Sequence, residues 1–259
     1  MNRMHRMFVL TAGVALAALA VAAADEAAKS QIPAGVFRAS ALEGIAVRNA
    51  KNENLGKLED LVVNKDGKIV YGVLSHGGVA GIGDKLFAVP PSQLVLTDMP
   101  NNRDKKEFLV SVDKSVLDGN PGFNEKDLPT APSSVFTAGG SSRDAGAGHA
   151  SKELLRVRKV IGMNVKNTSG EDLGKVDDVM VSLKDAKIVY AWLSHGSRLT
   201  GSAKYFAVPW DAMEMKSLTG KPTDVNFVLD VTKATLDSAA GHAKDPFPSE
   251  PDRQMFKRK

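Results

Sequence analysis

The chain has 259 residues, a formal net charge of +4 and no cysteine. That length holds two ordinary domains, and the missing cysteine excludes disulfides, thiol catalysis and Cys-ligated zinc. The charge sits at the two ends, since the body from Asp25 to Ser249 is neutral; this is an ordinary soluble surface, not the basic footprint of a nucleic-acid binder.

In chain order, residues 1–24 come first. Arg3, His5 and Arg6 make a basic start, Met7 to Ala20 is apolar, and Ala22-Ala23-Ala24 precedes Asp25. That is the layout of a secretory signal peptide. The alternative is an uncleaved membrane anchor, but the run is short and Ala-rich against the roughly 20 strongly apolar residues a span needs. The expectation is an exported protein, periplasmic or extracellular, with no membrane span in its mature form. Asp25 to Pro33 reads as a loose leader.

A β-rich unit follows over 36–129. Leu55 to Val63 and Lys68 to Ser75 read as two strands joined by the turn Asn64-Lys65-Asp66-Gly67, a hairpin signal. Gly77, Gly78, Gly81 and Gly83 mark a loop or tight corner, and no helix pattern follows that would make them a phosphate loop. Leu86 to Val89 is a short apolar strand stopped by Pro90, which has no N–H for a ladder. Gln93 to Thr97 and Glu107 to Val112 predict further strands, and Lys114 to Leu117 a helical turn. Residues 130–152, TAPSSVFTAGGSSRDAGAGHASK, carry too few bulky side chains to fold and predict a flexible tether. Some twenty such residues reach on the order of 25 Å. The halves it joins could dock on each other or on two sites of a partner.

The second unit, over 153–248, repeats the first. LGKLEDLVV at 55–63 returns as LGKVDDVMV at 173–181, KIVYGVLSHG at 68–77 as KIVYAWLSHG at 187–196, and KLFAVP at 85–90 as KYFAVP at 204–209. The period of 118 to 119 residues is too long for a solenoid and marks a duplicated domain. Residues 249–259 form a basic tail, expected to be solvated; Arg253, Lys257, Arg258 and Lys259 give it a possible weak contact with an anionic surface.

Five or six short strands with one hairpin in about 90 residues suggest a small barrel. The order of elements is a Gly and Val opening a strand (Gly44, Val47; Gly162, Val165), LGK, paired acids, a hairpin, a Gly loop and a closing AVP strand. It resembles the PRC-barrel family, named after the cytoplasmic domain of the photosynthetic reaction-centre H subunit and including the C-terminal domain of the ribosome-maturation factor RimM. The resemblance covers about Ala41 to Thr97 and Lys159 to Lys216. A shared downstream extension, Phe108 to Pro129 and Phe227 to Pro248, resembles that of exported bacterial members. The expected fold is all-β: two small PRC-type β-barrels in tandem joined by a flexible linker, each half a self-sufficient closed unit. The second copy departs from the first in the loop, where Ser197 and Ser202 replace Gly78 and Gly83.

The residues common to both copies are Gly56/Gly174, Lys57/Lys175, Asp60/Asp178, Tyr71/Tyr190, Ser75/Ser194, His76/His195, Lys85/Lys204 and Pro90/Pro209. His76 and His195 are the candidate metal ligands, but no HxH, HxxxH or HExxH spacing accompanies them, and a His at a strand end bonded to the adjacent loop is the plainer reading. Glu59-Asp60 and Asp177-Asp178 are neighbours in a strand, where side chains alternate faces, so the two acids are not expected to converge on one substrate. The second acid is expected to pair with Lys57 or Lys175 or to accept backbone N–H groups. Trp192 and Trp210 are candidate interaction anchors if exposed. No nucleophile elbow is present, so no catalytic residue and no cofactor is expected. The expected function is a non-enzymatic protein-binding or assembly (adaptor) protein of the bacterial cell envelope, as the resemblance also implies. The alternative is a periplasmic small-ligand or metal-binding protein. RNA association, by analogy with the ribosome factor, is opposed by export and by the neutral body; no nucleic-acid partner is expected.

Overall fold

The computed structural model describes residues 35–78, 83–99, 102–136, 154–196, 203–217 and 225–257. The expected signal peptide and leader lie outside these, as do most of the expected tether and residues 258–259. Strands dominate. The first half contributes β1 (Val36–Arg38), β2 (Ala46–Arg48), β3 (Asn54–Val63), β4 (Ile69–His76), β5 (Lys85–Val89), β6 (Val95–Met99) and β7 (Asn102–Leu109). The second contributes β8 (Leu155–Arg156), β9 (Asn164–Asn167), β10 (Asp172–Ser182), β11 (Lys187–His195), β12 (Lys204–Pro209), β13 (Met213–Ser217) and β14 (Val225–Leu229). Among the described residues four short α-helices intervene: α1 (Ala39–Leu42), α2 (Lys114–Gly119), α3 (Val157–Val160) and α4 (Lys233–Ser238).

The predicted hairpin is β3–β4. Its turn forms because the Asn64 side-chain oxygen accepts the N–H groups of Asp66 and Lys68, at 3.1 and 2.9 Å, while Gly67 takes φ +78°, an Asx turn closed by the residue that tolerates that region. The second copy has Ala186 at the matching place, at φ +49°. In both copies the LGK glycine is obligatory. Gly56 and Gly174 sit at φ +131° and +128°, and a Cβ there would lie 1.9 and 2.0 Å from the carbonyl oxygens of Ser75 and Ser194.

Each half curls into a sheet with the order β5-β4-β3-β2-β7-β6 in the first copy and β12-β11-β10-β9-β14-β13 in the second. All pairs are antiparallel except β2 with β7 and β9 with β14. The curl is incomplete: β5 and β6 end the order without pairing to each other, so complete closure is replaced by an open half-barrel. The β5 edge is covered instead. Phe123 donates its N–H to the Leu86 carbonyl, and Ser133 exchanges bonds with Ala88, N–H to carbonyl and N–H to Oγ. On β12, His242 and Asp252 repeat this against Tyr205 and Ala207. A covered edge removes a template for unwanted pairing.

This cover corrects two expectations. Residues 130–136 are not tether: Ser133 is bonded to β5 and Phe136 is buried. The tail is not solvated through 257: Asp252 accepts the Ala207 N–H at 2.8 Å and Phe256 is buried. Both segments are the same element, the last part of the repeat.

The larger correction concerns self-sufficiency. The seventh strand of each sheet comes from the other half: β1 pairs with β10 (Phe37 opposite Val181) and β8 with β3 (Arg156 opposite Val62). One apolar core runs through both halves, with Leu42, Leu58 and Leu61 in the same cluster as Val157, Val160, Ile188 and Trp210. A strand of two or three residues buries too little to persist alone; here it persists because the neighbouring sheet supplies a ladder. Among the described residues no helix is long and apolar enough to cross a membrane.

Candidate functional site

One pair of the polar residues shared by the two copies, Asp60 and Asp178, sits at the seam created by this exchange. After its exchanged strand, each half turns into a one-turn helix, α1 or α3. Such a helix leaves its first N–H groups without partners. The residue at the N-cap is Arg38 or Arg156, which has no acceptor and makes no side-chain cap bond. The acceptor comes from the opposite half. Asp178 accepts the Ser40 N–H at 3.3 Å, the Ser40 hydroxyl, and Arg38 Nε at 2.9 Å. Asp60 accepts the Arg158 N–H at 3.1 Å. Each acid also accepts the N–H of its own next residue, Leu61 or Val179, at 2.8 Å. The second acid of each pair is thus a helix cap supplied in trans, and its charge suits the positive end of the helix.

The predicted partners Lys57 and Lys175 play no part in this; both are exposed. Strict strand alternation, expected to keep the two acids apart, does not hold here. A bulge interrupts the β3–β4 register between Leu58 and Asp60, and β10–β11 between Val176 and Asp178. A bulge re-aims side chains, so Glu59 and Asp60 both reach Arg158, at 2.9 and 3.4 Å.

The two caps are unequal. Asp178 has a partner on each oxygen. Asp60 lacks a counterpart to the Ser40 hydroxyl, because Arg158 stands at the matching position, and its buried Oδ2 makes no hydrogen bond among the described residues. Arg156, also buried, turns to Glu59 and Glu125 at 3.2 and 3.3 Å rather than to Asp60. Burial accordingly raises the Asp60 carboxyl from 3.8 to about 6, opposed by the N–H groups of Arg158 and Leu61 and by the two guanidiniums.

A second set of contacts marks a pseudo-two-fold axis. Ile69 donates its N–H to the Ala186 carbonyl and Ile188 to the Gly67 carbonyl, both at 2.8 Å, with Lys68 facing Lys187 between them. Residue i of one copy meets residue j of the other and j meets i, the signature of an isologous interface. Trp210 breaks the symmetry. Its indole lies on Gly67 and donates to the Lys65 carbonyl at 2.9 Å, whereas Pro91 occupies the matching place in the first copy. Trp210 is an anchor, but between the halves of one chain. Trp192 is fully buried, packed with Tyr205 and Phe247 at centroid distances of 5.6 and 5.0 Å. Neither indole is exposed, and exposure is the condition for a partner anchor.

His76 and His195 lie away from the seam in identical settings. Nδ1 of His76 faces the Leu55 carbonyl at 2.6 Å and Nε2 faces Asp118 at 2.9 Å; for His195 the partners are Leu173 at 2.7 Å and Asp237 at 2.8 Å. Both ring nitrogens therefore face acceptors, and both contacts are hydrogen bonds only with a proton on each nitrogen or on the acid. Lys114 joins Asp118 at 2.9 Å, and Lys85 donates to the Asp118 carbonyl at the end of α2, where a cation is favoured. Lys204 does the same for α4. The Lys114 and His76 bonds hold Asp118 below its ordinary 3.8, and the His195 and Lys233 bonds do so for Asp237. This arrangement docks α2 and α4 on the hairpins, and a metal at either His would have to displace it. Among the described residues no three His, Cys, Asp or Glu side chains converge as a metal site.

The remaining shared positions are structural. Tyr71 and Tyr190 are buried, and burial pushes both phenols upward; Tyr190 donates to the Pro248 carbonyl at 2.8 Å, while the Tyr71 hydroxyl has no partner among the described residues. Pro90 follows the last residue of β5 and Pro209 closes β12.

The PRC-barrel domain model matches the chain twice, over residues 34–117 and 152–234. The chain belongs to the PRC-barrel family. No curated protein matches it. Both matched PRC-barrel segments open on the exchanged strand of the opposite sheet, so the sequence unit and the folded unit are offset by one element.

Sequence reasoning missed Arg38, Ser40, Arg156 and Arg158. Arg38 and Arg156 recur in register and could have been found as a repeat pair upstream of Gly44 and Gly162. It also missed the Pro132-Ser133 and Pro251-Asp252 match, with Phe136 and Phe256 closing each segment one residue out of step.

Proposed function

We propose that this protein is a non-enzymatic binding or assembly factor of the bacterial cell envelope, exported by its N-terminal segment and presenting its two PRC barrels to a protein partner as one rigid body. The observation that carries this reading is where the shared polar groups are engaged. Asp60, Asp178, His76, His195, Lys85 and Lys204 each bond to backbone or side chains of the fold, which leaves the set that a catalyst would reserve for substrate committed to architecture. The tethered, bivalent arrangement expected from sequence gives way to a fixed spacing, because the seam joins the halves directly. Recognition then resides in outer surfaces, where the copies differ most. In the second copy that face is backed by Trp192, Tyr205 and Phe247; in the first it is backed by Val73, Leu86 and Phe123. Photo-crosslinking of the intact protein in living cells, followed by fractionation and mass spectrometry, tests the reading. The expected product is a reproducible crosslink to one envelope protein; a mature protein confined to the cytoplasm, or no protein crosslink from any exposed face, overturns it.

A further inference from the structure

The seam that joins the halves is made wholly by residues outside the stretch 137–153. Its parts are the exchanged strands β1 and β8, the trans caps Asp60 and Asp178, the paired bonds at Gly67 and Ala186, and Trp210 on the first hairpin. The covalent connection adds proximity but none of these contacts. We infer that the seam also accepts the matching half of a second copy of this chain, so that the protein forms a reciprocally exchanged two-chain assembly with the first half of each copy seated on the second half of the other.

The geometry makes the two arrangements equal in contacts. Val36 faces Ser182 and Leu155 faces Val63 whichever chain supplies them, and each acid caps the same helix. The balance is set by concentration alone. A covalent connection between two binding parts gives an effective concentration of order 1 mM, so exchange between chains is expected in about 1% of molecules refolded at 10 μM and in a comparable share to the closed form near 1 mM. Exchange requires the seam to open, which removes a strand from each sheet at once; folded chains therefore keep their arrangement, and the two-chain form arises during folding. The inference stands apart from the envelope reading, since it concerns only how the chain pairs with itself.

The absence of native cysteine makes a direct test available in the full-length protein. One variant carries Val36→Cys and another Ser182→Cys. The two are mixed, unfolded together, refolded over a range of concentrations and oxidised. The expected result is a covalent two-chain product joining unlike variants, rising about 50-fold in yield between 10 μM and 1 mM, and absent when already folded chains are mixed. A yield that stays at background across that range overturns the inference. The double variant carrying both substitutions in one chain controls for folding and geometry: it is expected to close an internal bond at 10 μM, and its failure to do so overturns the seam itself. A second pair, Val63→Cys and Leu155→Cys, repeats the test at the other exchanged strand, and the two pairs must agree.

Discussion

At the scale of single residues, the seam is governed by which oxygen has a partner. Asp178 is a satisfied carboxylate; Asp60 keeps one oxygen without a hydrogen bond in a buried setting. A buried acid in that state resists ionisation, and its rise from 3.8 to about 6 corresponds to on the order of 3 kcal/mol between its two protonation states. The sign follows from the direction. A folded value above the unfolded one means that the contribution is fully present below pH 3.8 and is lost as pH rises through about 6. Asp60→Asn keeps an oxygen for the Arg158 and Leu61 N–H groups and cannot ionise. It is therefore expected to be more stable than the parent at pH 7.5, by an amount that shrinks and vanishes toward pH 4. Denaturant melts of both proteins at several pH values check this; parallel curves would refute it. Asp118 and Asp237 act oppositely: their depressed values support the fold at neutral pH and withdraw that support only in stronger acid.

At the scale of elements, the exchanged strands tie the opening of one half to the other. β8 is hydrogen-bonded to β3, and α3 is capped by Asp60. The amides of β8 and α3 are expected to exchange with solvent at the rate of the β3–β4 hairpin rather than that of β10–β11. Native-state hydrogen exchange read by peptide mass resolves this, and protection of β8 that tracks its own half would count against it. How much of this was legible is uneven. The β3–β4 hairpin declared itself through Asn64 to Gly67 and the apolar residues on either side, and β5 through Pro90. The exchange did not, because β1 and β8 are three and two residues long. A segment so short has no periodicity to read, and its partner lies more than ninety residues away in each case. The bulges at Asp60 and Asp178 were equally hidden, since a register shift is set by the pairing and not by local composition. The edge cover was legible in part: Pro132-Ser133 and Pro251-Asp252 repeat, but the one-residue slip before Phe136 and Phe256 broke the match, and the Gly- and Ser-rich stretch after it drew the whole region into the tether.

At the scale of the molecule, a core that spans both halves predicts shared fate. Independent barrels would melt as two events. Here loss of either sheet strips a strand, a helix cap and part of the core from the other, so calorimetry is expected to show one transition whose van't Hoff enthalpy matches the heat measured for the whole chain. Two resolved transitions, or an enthalpy ratio near one half, would show that the halves stand alone. The same unity explains why the shared acids and histidines were easy to find yet hard to assign. They recur because each half needs them to hold itself or its neighbour, and that role becomes visible only when both copies are placed together.

The indole of Trp210 resting on Gly67 decides which half fits which. Two copies of the first half would set Pro91 against Gly67 and leave a hollow, and two copies of the second would press the indole onto the methyl of Ala186. Each copy is shaped for the other rather than for itself. This one aromatic plate makes left and right hands of two copies that otherwise repeat.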